Sequence, residues 1–172
     1  MLKRYIYVWI LTRLIVKLEI SNLVYVDESG INQNYQREHA RAKKGVKIQD
    51  TKRGKKFKRT NIIGALWNKK HIAMKCYDHS TKALFFEDWF EFDLLPLLPE
   101  KTIVIMDNAS FHRKKYLREI AKKHGIILLF LPPYSPDYNP IEKSWANFKR
   151  WLRDNINRFP NLDFAVDCYF CT

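Results

Sequence analysis

The chain has 172 residues and a formal charge of +13, from 31 Lys and Arg against 18 Asp and Glu. Apolar residues make up 47 % and aromatics 15 %, too much for a disordered basic tail, and five Gly and seven Pro exclude collagen-like or low-complexity sequence. This length suits one domain with a real core, and the basic excess points to a polyanion, nucleic acid first and an anionic membrane surface second.

In chain order, Lys3 and Arg4 precede the apolar stretch Tyr5 to Leu11, which superficially resembles a signal peptide. Arg13, Lys17 and Glu19 interrupt it, no small-residue cleavage site follows, and it is too short to span a bilayer. Residues 4–19 read as a helix that packs or needs a partner. Residues 1–22 are expected to be an N-terminal helical segment ahead of a domain over 23–172. Leu23 to Val26 is a short apolar strand ending in Asp27. Residues 41–59 hold ten Lys and Arg, one acid (Asp50) and two turn-forming glycines, Gly45 and Gly54. This concentration suits a hairpin or mobile loop that contacts phosphate through Arg41, Lys43, Lys44, Lys47, Lys52, Arg53, Lys55, Lys56, Lys58 and Arg59.

Asn61 to Trp67 and His71 to Tyr77 read as a hairpin turned at Asn68-Lys69-Lys70. Residues 82–95 suggest a helix with Phe85, Trp89 and Phe92 on its core face, stopped by Pro96. Thr102 to Met106 is a buried strand ending in Asp107. Residues 113–124 suggest an amphipathic helix with Leu117, Ile120 and His124 in phase, closed by Gly125. Ile126 to Leu131 is a strand that runs into the rigid segment Pro132-Pro133-Tyr134-Ser135-Pro136. A last helix from Pro140 to about residue 155 has Ile141, Trp145, Phe148 and Leu152 as its core face. The alternation predicts an α/β fold with one central sheet covered by helices. The cysteines are Cys76, Cys168 and Cys171, too few and odd in number for a disulfide framework, so a reducing compartment is expected. Cys168 and Cys171 have C-x-x-C spacing without a second half-site, and are read as incidental.

Among the acids, Glu87, Asp88, Glu91 and Glu119 follow helix surfaces and read as solvated. Asp27 and Asp107 instead end buried β-branched runs, LVYVD and TIVIMD, and emerge at the sheet edge where α/β folds place their sites. On neighbouring strands, about 4.8 Å apart, their carboxylates would repel unless a proton or an oxygen-preferring cation such as Mg²⁺ sat between them. Asp is also common at strand ends for its turn chemistry, so either residue alone has a purely structural explanation. Glu142 sits in the first turn of the last helix, on the border between core and solvent. There an acid also complements the helix dipole.

VDESG, MDNASFH, PPYSPDYNPIE and the trailing W-x-x-x-K together resemble the catalytic domain of DDE transposases of the mariner superfamily, nearest its bacterial insertion-sequence branch. Thirty-four residues separate Asp107 from Glu142, the spacing of that branch, and the similarity covers about residues 23–168. The resemblance implies an α/β, ribonuclease H-like fold with a mixed five-stranded central sheet flanked by helices. It implies a metal-dependent DNA endonuclease and strand transferase, with Asp27, Asp107 and Glu142 as catalytic and metal-binding residues. They would hold two Mg²⁺ ions, Mn²⁺ substituting, with Asp27 bridging both. Asn108, His112 and Asn139 match recurrent family positions beside the ligands, as does Pro140.

On this reading the DNA-binding residues are the 41–59 set with Lys143, Lys149, Arg150 and Arg153. The partners are double-stranded DNA, as element ends and target, and a second copy in a homodimer. The location is the bacterial cytoplasm, on chromosomal DNA, with no membrane role. Relatives carry an N-terminal helix-turn-helix region that the residues before the first strand are too few to form. A separately encoded helix-turn-helix subunit, or a truncated copy, is therefore expected. Two alternatives stay open: a catalytically silent DNA-binding remnant, and a ribonuclease H-like nuclease with another substrate.

Overall fold

The computed structural model describes residues 2–32, 59–133 and 135–170. Five strands form one mixed sheet in the order β3-β2-β1-β4-β5: β1 Asn22–Asn32, β2 Arg59–Trp67, β3 Lys70–Tyr77, β4 Thr102–Met106 and β5 Ile127–Phe130. Strands β1, β2 and β3 are antiparallel neighbours, whereas β4 runs parallel to β1 and β5 parallel to β4. The β2–β3 connection is tight because Asn68 and Lys69 both take positive φ, 48° and 64°. That two-residue turn matches the twist of the paired strands. The register of the hairpin shifts between Ile63 and Ala65, opposite Ala73, whose φ is 52°. The Trp89 indole N–H donates to the Ala73 carbonyl at 2.8 Å and satisfies it.

Helices cover both faces, as the alternating side chains require. On one face Val24, Val26, Val104, Met106 and Leu128 pack with α2 (Ala83–Asp88) and α3 (Lys114–Lys123). On the other, α1 (Leu2–Leu18) lays Tyr7, Leu11, Leu14 and Ile15 over Ile103 and Ile105 of β4. The same face is completed by α4 (Ile141–Asn155) and α5 (Leu162–Phe170), which cover Ile31 and Ile62. The N-terminal helix thus packs on the central sheet. No helix among the described residues is long and apolar enough to cross a membrane.

Several details differ from the sequence expectation. Strand β1 runs on to Asn32, so Asp27 lies within it, paired with Gly64 of β2, and does not end it. The helix expected over 82–95 changes winding: α2 is followed by a π-helical turn at Trp89–Leu94 and a 3-10 turn at Leu95–Leu97 that contains Pro96. Each π turn takes in an extra residue, so the α-helical phase is lost. Phe86, Trp89, Phe90 and Leu94 are buried, and Phe92, expected inside, is 68 % exposed. Glu87, expected to be solvated, is buried because the Arg113 guanidinium donates to both its carboxylate oxygens. His124 is exposed at the end of α3, and Ala121 takes the buried position instead. Gly125, at φ 68°, does close that helix: its N–H reaches the Lys122 carbonyl at 3.1 Å and the Ile126 N–H reaches Ala121 at 2.9 Å. Helix α5 was not anticipated. Its Tyr169 and Phe170 join Trp145, Phe148, Trp151 and Phe159 in an aromatic cluster.

Candidate metal centre and cleft

The site forms where the parallel seam between β1 and β4 stops. Pairing runs from Asn22–Thr102 to Tyr25–Ile105, and continuing the same register by two residues sets Asp27 beside Asp107. Alternation sends Asp27 to the α4 face and its neighbour Glu28 to the α2–α3 face. Asp107 follows Ile103 and Ile105 on the α4 side. The third acid, Glu142, is brought to the same place by the turn before α4. Pro140 precedes the helix with φ −64° and ψ −19°, and the Glu142 N–H bonds the Asn139 carbonyl at 3.2 Å.

Asp107 and Glu142 line one cleft of about 480 Å³, together with Asn108, Ala109, Leu131, Pro132, Pro133 and Ser135. Asp27 lies deeper. The Trp145 indole N–H donates to Asp27 Oδ2 at 3.1 Å. Gly64, opposite Asp27, is tightly covered: an added Cβ would collide with Met74 Sδ and lie 3.6 Å from the Trp145 ring. Burial first, then the nearby carboxylates of Glu28, Asp107 and Glu142, push the Asp27 carboxyl up to about 7. Burial and then Asp107 and Asp137 also raise Glu142 above the ordinary carboxylate range. Asp107 and Glu142 thus both oppose the ionisation of Asp27, and Asp107 opposes that of Glu142.

The neighbouring polar residues hold this geometry. The Ala109 N–H donates to Asp107 Oδ1 at 2.9 Å. Asn108 donates through Nδ2 to the Leu131 carbonyl and accepts from Lys114 Nζ at 2.5 Å through Oδ1. Asn139, buried, lies with Nδ2 at 3.4 Å from the Val26 carbonyl, a backbone group just past the end of the parallel ladder. His112 is buried against Phe86, with ring centroids 4.3 Å apart. Its Nδ1 lies 3.3 Å from the Asp107 carbonyl and 3.4 Å from Asp107 Oδ1, and its Nε2 faces Glu28 Oε1 at 3.7 Å.

Two residues at this centre were not singled out from sequence. Glu28 is one. Its only signal is strand alternation, which puts the acid next to Asp27 on the opposite face, and its partner there is known only once α3 is placed. Among the described residues, the one group with three metal-binding atoms within 4.8 Å of one another is Glu28, Asp107 and His112, sharing only Asp107 with the expected triad. Glu28 Oε1, His112 Nε2 and Asn139 Oδ1 are buried with no hydrogen-bond partner among the described residues. Trp145 is the other: it has the core role that its helical spacing predicts and also serves Asp27.

Of the expected DNA-binding residues, Arg41, Lys43, Lys44, Lys47, Lys52, Arg53, Lys55, Lys56 and Lys58 lie outside the described residues, and Arg59 begins β2. Lys143, Arg150 and Arg153 are exposed on α4, and Lys149 is half-buried. Cys168 is exposed on α5, and Cys171 lies outside the described residues.

A family model described as DDE superfamily endonuclease matches residues 22–163. Over 65 residues the chain is 35 % identical to the uncharacterized protein y4pE/y4sA of Sinorhizobium fredii (strain NBRC 101917 / NGR234), spanning 37 % of this chain and 44 % of that one. Among solved structures it is similar to a pre-cleavage Mos1 transpososome, with TM-score 0.74 and 19 % identity over 99 % of this chain and 54 % of that chain. It is similar to the Mos1 strand transfer complex, with TM-score 0.72 and 18 % identity over 99 % and 53 %. The catalytic core domain of BIV integrase matches with TM-score 0.50 and 15 % identity, over 84 % of this chain and 78 % of that one. The fold is thus the expected ribonuclease H-like one. The chain spans about half the length of the Mos1 chains and less than half of the curated relative.

Proposed function

The chain belongs to the DDE superfamily of endonucleases, and from that premise we propose that it is the catalytic unit of a transposase, cutting DNA at the ends of a mobile element and joining those ends to target DNA. One observation carries the reading. Asp107 and Glu142 line a single cleft, and both press electrostatically on Asp27, whose strand position continues the register that ends beside Asp107.

The donor set fits a divalent cation of the Mg²⁺ type, with Mn²⁺ as substitute. It is made of carboxylate oxygens, two of which, on Asp27 and Glu142, are raised by burial and by neighbouring acids, next to the unpartnered Asn139 Oδ1. Asp27, Asp107 and Glu142 would hold it, and we infer a two-ion site. Ions bound there would supply Lewis acidity, easing deprotonation of the attacking hydroxyl and stabilising the departing oxygen. The chain's own residues do the positioning. Trp145 fixes one oxygen of Asp27, the Ala109 N–H and His112 fix Asp107, and the Pro140 turn aims Glu142. Asn108 couples the Asp107 loop to Leu131 on the opposite wall.

The substrate we infer is double-stranded DNA, gripped through its backbone by the basic segment 41–59 and by Lys143, Lys149, Arg150 and Arg153. A homodimer suits the need to bring two ends together, and a Mos1 structure is described as a paired-end complex. End recognition by a helix-turn-helix region, and a bacterial cytoplasmic location on chromosomal DNA, complete the proposal. The S. fredii relative supports a bacterial setting.

The test is Mg²⁺-dependent cleavage of DNA carrying the ends of the encoding element. Asp107→Asn is expected to lower it by roughly 10³-fold, the value of several kcal/mol of transition-state stabilisation, while non-specific duplex binding stays near wild type. Equal cleavage by that variant would overturn the proposal.

A further inference from the structure

A second positive surface lies outside every residue so far assigned to DNA. Residues 113–123 carry Arg113, Lys114, Lys115, Arg118, Lys122 and Lys123 against one acid, Glu119, a net of +5. Helix α3 turns Leu117, Ile120 and Ala121 into the core and leaves all six cations exposed. Arg113 is occupied by Glu87. Lys114 and Arg118 are different: among the described residues neither has a carboxylate partner. Both instead lie over the same Phe130 ring, at 5.2 and 5.1 Å from its centroid.

Two like charges one helical turn apart repel, and here a shared aromatic face at the end of β5 gathers them. Lys114 is also tied to the cleft. Its Nζ bonds Asn108 at 2.5 Å, and Asn108 lines the cleft beside Asp107. Across the cleft, Glu142 is followed by exposed Lys143. The acidic centre is thus flanked by cations on both walls.

We propose that the exposed face of α3, through Lys114, Arg118 and Lys122 with Lys115 beside them, holds the phosphodiester backbone of duplex DNA where it leaves the cleft on the Asp107 side. This rests on the transposase reading and adds to it a track for the DNA. Lys114, Arg118 and Lys122 are spaced four residues apart, so they cover about 12 Å of helix at ~1.5 Å per residue. That length matches about three nucleotides of one strand at ~3.4 Å each. Contacts of this kind position DNA without reading its sequence.

The full chain is titrated, in EDTA, with a fluorescent duplex of arbitrary sequence across a range of salt concentrations. The variant Lys114→Gln/Arg118→Gln/Lys122→Gln is compared with Lys17→Gln/Lys70→Gln/Lys101→Gln. The second variant removes the same charge from exposed positions at the opposite end of the sheet. The α3 variant is expected to reduce the slope of log affinity against log salt by about 2 to 3, at ~0.9 per lost phosphate contact. The control variant should leave the slope near wild type, and both should melt as wild type does. An unchanged slope in the α3 variant, or an equal fall in the control, overturns the α3 track. A wild-type chain that binds no duplex overturns both this proposal and the function beneath it. A lowered slope with undiminished cleavage by Asp107→Asn would retain the track and remove only the transposase chemistry.

Discussion

At the scale of single residues, Asp27 is where burial and charge conflict most. Its carboxyl sits at about 7 in the fold against 3.8 ordinarily. Between those values the folded chain holds a proton that the unfolded chain has released. The metal-free stability that Asp27 contributes is therefore full below about pH 4 and is lost as pH rises toward 7. Asp27→Asn removes that dependence. In EDTA it should melt higher than wild type at pH 8 and close to wild type at pH 4, with a ceiling of about 4 kcal/mol on the difference. Thermal melts at the two pH values check this, and Mg²⁺ should narrow the gap at pH 8 by stabilising wild type alone. Asp27 and Asp107 were legible in sequence because each follows an apolar run, and Glu142 because a proline-rich strut aims its helix. Glu28 was not, since one sequence position gives its face but not the His112 that meets it there.

At the scale of elements, legibility followed regularity. Helix α4 keeps one winding throughout, and its four buried residues are the four that its spacing predicts. The segment after Lys82 changes winding at Trp89, which no α-helical template anticipates, so its outward residue was misplaced. Replacing Phe90, fully buried, with Ala should cost about 3–5 kcal/mol. Phe92→Ser should stay within about 0.5 kcal/mol. Urea melts of the two variants would reveal which face is inside, and similar costs would contradict the π-helical turn. The end of α3 makes a sharper case. Gly125 holds φ 68° while its N–H caps the helix. Gly125→Ala should therefore destabilise by about 1 kcal/mol, and Gly125→Asn by less, because Asn tolerates that conformation. Equal stability of all three chains would remove the cap from the account.

At the scale of the whole molecule, the mixed sheet with helices on both faces was legible from the alternation of elements. The packing of α1 was legible only as a helix that packs or needs a partner, without the surface it covers. From sequence the N-terminal helix reads as a segment preceding the domain, yet Tyr7, Leu11, Leu14 and Ile15 cover Ile103 and Ile105 beneath the acids. A chain beginning at residue 21 should lose several kcal/mol, at about 1.5–3 kcal/mol per large buried apolar side chain, and expose enough β4 surface to aggregate. Soluble yield and melting temperature check this. Helix α5 is not legible in sequence because LDFAVDCYF is too short and too evenly apolar to show a face, so its place is set by the aromatic cluster it completes. The abrupt end of the β1–β4 ladder has a further implication. The gap between Asp27 and Asp107, beside the cleft, is an interval left unzipped between two strands. The Met106 carbonyl faces the other neighbour, accepting the Leu131 N–H at 2.8 Å as a last rung toward β5, while on the β1 side the Asn139 amide reaches toward Val26. Lengthening the ladder by even one rung would begin to draw the seam shut over its own acids. Here the room between the two aspartates is left by backbone pairing that is withheld.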